Sequence, residues 1–170
     1  MADRLVRMPI NTIIIALNRV YLQKAAEMQK GGHGIGGALI KTTMVLFVLG
    51  IIPFGILWLF GEEILGVVLG ETWREAGYYV EILAPWFFAT WTSGVIAPTM
   101  IVQRKQGLWL VLQLTIFISR IGVLGWCFIT TASAEYTLTL FVVVNVTMVI
   151  LIMTVGFASL SRSERSVRVE

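Results

Sequence analysis

The chain holds one cysteine, Cys127, and one histidine, His33. A lone cysteine inside an apolar run excludes a disulfide framework and argues against thiol redox chemistry. With a single histidine in a glycine-rich stretch, no His/Cys cluster has metal-ligand spacing, and no nucleophile–base pair is evident. The chain is therefore not expected to be an enzyme or to carry a cofactor or metal. Charge is scarce too: Asp, Glu, Lys and Arg make up 14% of the residues. An ordinary soluble domain carries roughly 25%, so that class is excluded.

The remainder is apolar: 57% of residues are hydrophobic and the mean hydropathy is +0.84. A bilayer core about 30 Å thick takes roughly 20 helical residues to cross. Four runs meet that length, at about 42–60, 78–102, 107–130 and 137–160. A fifth, about 5–22, is apolar in its middle but carries Arg7, Asn11, Asn18 and Arg19. The pattern predicts an all-α integral membrane protein of about five transmembrane helices. Spanning strands would need only about ten alternating residues each. Residues 62–69 suit a short helix in the membrane interface, closed by Gly70. Thr72 to Glu75 fits a capping box that opens the next span. Pro53, Pro85 and Pro98 fall within spans and invite kinks.

The charges are sorted by side. Arg19, Lys24, Lys30, Lys41, Arg104, Lys105, Arg162, Arg165 and Arg168 fall on one side of the predicted helices. Arg74 alone stands on the other, among Glu62, Glu63, Glu71, Glu75, Glu81 and Glu135. The positive-inside rule puts the first side, with a basic tail at 161–170, in the cytoplasm. The chain would then start at the outer face and end inside, which predicts that helices preceding it are missing. Trp58, Trp73, Trp109 and Trp126 lie near predicted helix ends, as membrane-anchoring rings do.

"GGHGIGG" at 31–37 has the spacing of a dinucleotide-binding fingerprint. That fingerprint works only after a strand in a βαβ unit. Here membrane helices flank it, and Lys41 stands too far on for a P-loop. The stretch reads as a cytoplasmic turn, at most a hinge. No nucleic-acid partner is expected.

The informative polar residues are those at membrane depth, where a charge is costly and usually faces a cavity or a partner. Arg4, Arg7, Asn11 and Asn18 share one face of the first helix. Gln106, Gln113, Arg120 and Cys127 recur every seven residues in the fourth, again on one face. Arg120 lies about 20 Å from the cytoplasmic start of its helix at ~1.5 Å per residue, too deep for easy snorkelling. Two readings stay open for it: a cavity-lining cation, or a buried hydrogen bond to carbonyls or to Asn145. Arg4 and Arg7 either line a cavity or flank the membrane as anchors. Asn11, Asn18 and Gln113 would add polar lining. Arginines in a cavity favour an anion, phosphate above all.

At these residues the chain resembles a known superfamily. "ADRLVRMP" followed by "INTIIIALNRVYLQKAAE" resembles the helix opening with A-x-R-L-x-x-x-P in lipid-linked oligosaccharide flippases of the multidrug/oligosaccharidyl-lipid/polysaccharide exporter superfamily. "FGEEILGVVLGETWREAGYYVEILAPWFF" resembles the C-terminal half of the polysaccharide-biosynthesis (O-antigen and exopolysaccharide) exporters. Its landmarks are Phe60-Gly61, Glu63, Gly70, Trp73, Ala76-Gly77 and Leu83-Ala84-Pro85-Trp86. Gln23 departs from the pattern, since relatives often have proline there. The resemblance covers nearly the whole chain and implies most of one lobe of a two-lobed exporter, about its eighth to twelfth helices. It implies a multi-pass protein of the bacterial cytoplasmic membrane, its C-terminus cytoplasmic. The implied cargo is an oligosaccharide on a polyprenyl pyrophosphate, moved by alternating access. The lipid bilayer, the lipid-linked oligosaccharide and the missing N-terminal lobe would be its partners. Arg4 matches the motif arginine, which the resemblance implies faces the cavity. Arg7 and Arg120 rest on the stripe pattern alone. Two other readings are a small non-transporting subunit that scaffolds glycan assembly, and a drug or cation exporter of the same superfamily. The latter would sooner want an acidic cavity.

Overall fold

A computed structural model of the chain describes the backbone of residues 36–167 and the side chains of residues 36–159. Helix α1 spans Gly36–Leu69. A single 3-10 turn, Glu71–Trp73, leads into α2, Arg74–Thr92. A second such turn, Ser93–Val95, leads into the short α3, Ile96–Val102. Helices α4, Gln106–Ile129, and α5, Ala134–Val167, complete the described chain. There is no strand among the described residues. Four helical stretches are long and apolar enough to cross a membrane: Gly36–Leu69, Glu71–Val102, Gln106–Ile129 and Ala134–Ser159. The fifth expected span, 5–22, lies outside the described residues.

The boundaries differ from the expected ones for local reasons. Gly36 and Gly37 already belong to α1, so the glycine-rich turn is shorter than predicted at its C-terminal end. The expected helix at 62–69 exists as the last turns of α1, beyond a break at Phe60 (φ −137°, ψ 20°). The expected capping box does not form, for neither 3-10 turn nor α2 has a side-chain cap. Arg74 instead reaches back to Glu71, its Nε donating at 2.8 Å. The span expected at 78–102 starts earlier and is interrupted at Ser93–Val95. Pro98 has no N–H for the carbonyl of Gly94, and it sits in the first turn of α3, where no donor is required. Residues expected in a tail beyond 160 continue α5 as far as Val167.

Hydroxyls inside these helices bond their own backbone. Thr42, Thr92, Thr99, Thr115 and Thr147 each donate to the carbonyl four residues earlier. A hydroxyl so satisfied can face a hydrocarbon surround.

Helix α2 packs on α1 and on α5, and α4 packs on α5. The core joins Leu39 and Leu46 of α1, Ile96 and Met100 of α3, Leu112 and Ile116 of α4, and Ile152 of α5. The α1–α2 contact is close. A Cβ on Gly77 would lie 2.5 Å from both Glu62 Cα and Gly61 O, so the backbones touch there, as small residues allow between membrane helices. Trp91 Nε1 adds a hydrogen bond to Leu46 O at 2.9 Å. At the other end of the molecule Arg104 takes a left-handed conformation (φ 55°) after α3. Lys105 N then bonds Met100 O, closing the helix as a Schellman turn, and Lys105 Nζ reaches Ser159 O of α5 at 2.8 Å.

Candidate functional site

Arg120 lies on α4 about nine residues, or ~14 Å at ~1.5 Å per residue, before the helix ends at Ile129. Its side chain is half-buried. Nε donates to Asn145 Oδ1 of α5 at 2.7 Å. Asn145 is 2% exposed, and its Nδ2 donates to Phe141 O at 2.7 Å. Only one orientation of the amide serves both neighbours, because a carbonyl needs a donor and Nε needs an acceptor. The Arg120 guanidinium also lies over the Trp86 ring of α2, 5.5 Å from its centroid. Phe141 meets the same ring edge-on at 5.3 Å and 88°. The Trp86 Nε1 atom is buried and has no hydrogen-bond partner among the described residues. Three helices thus meet around one cation, and no carboxylate is bonded to it among the described residues.

The hydrogen bond to Asn145 is one of the two arrangements the sequence allowed for Arg120. The stripe it came from does not hold together. Gln106 and Gln113 are exposed, Arg120 is half-buried and Cys127 is 3% exposed in the interior. A seven-residue step falls ~20° short of two full turns, so three steps carry the stripe about 60° around the helix. Gln113, one step and ~20° from Arg120, is exposed and makes no hydrogen bond to it among the described residues. Arg4, Arg7, Asn11 and Asn18 lie outside the described residues.

Sequence reasoning named Asn145 but missed Trp86. Nothing local marks that tryptophan, since its role depends on how α2 lies against α4 and α5. Of the four tryptophans expected at helix ends, Trp58, Trp73 and Trp126 are more than half exposed, while Trp109 packs against the core.

Two further features complete the inventory. Near the outer end expected from charge, Glu81 accepts the backbone N–H of Glu62 at 2.9 Å, Tyr78 donates to Glu135, and Arg74 lies 3.8 Å from Glu62. All these groups have partners within the fold, which gives them a structural role. Between α1 and α2 a groove of about 370 Å³ is lined by Ile51, Phe54, Trp58, Ala84, Pro85 and Phe88. Its walls can take hydrocarbon but offer nothing to orient a polar group. No protein-family model, curated protein or solved structure matches the chain.

Proposed function

We propose that the chain is the C-terminal portion of a bacterial flippase that moves polyprenyl-pyrophosphate-linked oligosaccharide across the cytoplasmic membrane by alternating access. Arg120, with Arg4 and Arg7 of the first helix, holds the pyrophosphate, while Asn11, Asn18 and Gln113 face the wet interior at other stages of the cycle. One observation carries the reading. Arg120 sits at membrane depth with a neutral amide and an indole face as its partners, and guanidinium does not deprotonate in proteins. A cation at that depth with no carboxylate bonded to it among the described residues is costly and marks an ion or substrate path by default. Four helical stretches long and apolar enough to cross a membrane, with proline within two of them, suit a transporter that rocks.

A second reading has its own support. The Arg120–Asn145 hydrogen bond ties α4 to α5 with no ligand involved, as a scaffolding subunit would need. The test separates the two. In a glycan-exporting bacterium, with the full reading frame expressed, Arg4→Ala and Arg120→Ala each abolish surface glycan while the protein stays in the membrane. The apolar pair Arg120→Leu with Asn145→Leu does not restore export, although such swaps are often neutral or better for stability. Restored export in the pair favours the scaffold, and normal glycan in both single variants removes the arginines from the mechanism.

A further inference from the structure

A guanidinium has five N–H donors: one on Nε and two on each Nη. At Arg120 the Nε donor is engaged by Asn145. No Nη donor has a hydrogen bond or ion pair among the described residues. Two contacts fix the group in place. Asn145 is almost fully buried and anchored to its own helix through Phe141 O, so its oxygen is a fixed point. Trp86 backs the cation with its ring and is itself wedged by Phe141 on one side and Phe87, stacked at 5.3 Å, on another. What such a mount leaves free is the Nη fork. That fork matches two oxygens of a phosphate, and rigidity spares the entropy of ordering a long side chain on binding.

We infer that Asn145 and Trp86 are positioning residues, which hold Arg120 so that its Nη fork receives a phosphate-type oxyanion at membrane depth. The inference rests on the transport reading of Arg120 and adds to it the residues that set the geometry. Asn145 is suited to this because it is neutral. An aspartate in its place would still accept from Nε, though it would lose the bond to Phe141 O, and it would cancel the charge on which anion binding depends. Asn145→Asp therefore keeps the link to Arg120 while removing anion reception.

The test uses the product of the full reading frame, purified in dodecylmaltoside micelles, with the melting temperature followed against added inorganic pyrophosphate or farnesyl pyrophosphate and sulfate as the ionic-strength control. A ligand that binds the folded state raises the midpoint with concentration. The wild type responds to pyrophosphate groups. A response to both probes identifies a site for the anion however presented, and a response to farnesyl pyrophosphate alone identifies a site for the lipid-borne form. In an Asn145→Asp variant that still melts cooperatively without ligand, the half-saturating concentration rises roughly tenfold or more, since the ion pair now competes with the anion. Trp86→Leu, which removes the ring from behind the cation, weakens both probes in the same direction and decides the matter if Asn145→Asp does not fold.

Wild-type binding in Asn145→Asp, or in Trp86→Leu, overturns the positioning role. If Arg120→Ala loses the response while Asn145→Asp keeps it, Arg120 remains the anion contact and only the positioning inference fails. A wild type indifferent to both probes, or an Arg120→Ala that still responds, overturns both readings.

Discussion

The α1–α2 contact and the α4–α5 contact solve the same problem differently. Lipid is as apolar as the helix faces, so helices there associate through close packing or polar bonds rather than through the hydrophobic effect. At α1–α2 the backbones touch at Gly61 and Gly77. The break at Phe60 frees the N–H of Glu62, and Glu81 takes it up. At α4–α5 the helices are joined by Arg120 and Asn145, a pair with donors to spare. Gly122 and Gly125 of α4 have open space around them among the described residues, so glycine serves no close approach between those helices. Sealed contacts hold the fold, and unsaturated ones can carry function.

Three substitutions sharpen this contrast, read by the melting temperature of the chain in detergent. The largest effect belongs to Gly77→Ala, whose methyl would enter the backbone of α1. It should destabilise by about 3 kcal/mol, the upper part of the range for overpacking. A midpoint within a degree of wild type would mean the two helices are not in backbone contact. Glu81→Ala comes next. It leaves the Glu62 N–H without its acceptor and should cost about 1–2 kcal/mol, whereas Glu81→Gln, which keeps an acceptor oxygen, should recover most of that loss. Equal loss in both would show that the charge of Glu81, not its hydrogen bond, matters. The smallest effect has the opposite sign. Gly122→Ala meets no neighbour and should stabilise by about 0.5–1 kcal/mol through helix propensity. A clear loss of stability there would reveal a packed surface on α4.

Much of the helical architecture was legible in the linear pattern. The runs at 42–60, 107–130 and 137–160 each correspond to a crossing-length helix, because apolar length is a property of neighbouring residues. Asn145 could be paired with Arg120 for a similar reason: few polar groups lie at that depth, so a buried donor has few partners. The break at Phe60 could not be read, since the carboxylate that takes up the freed Glu62 N–H lies nineteen residues beyond Glu62. On α4 the seven-residue repeat drifts around a straight helix, so Cys127 turns into the interior while Gln106 stays exposed. Trp86 sat inside a quoted motif, yet nothing in that motif says which face of α2 meets a cation.

By itself, the sequence determined that the described chain is helical and that four of its stretches can cross a membrane. A hydrocarbon layer admits only backbones whose hydrogen bonds close within the segment, and that demand is written locally in length and apolarity. Tertiary structure alone decided that α1 and α2 seal against each other at two glycines, and that Arg120 is mounted between an amide and an indole. Those outcomes depend on distances between residues far apart in the chain, which no local pattern encodes.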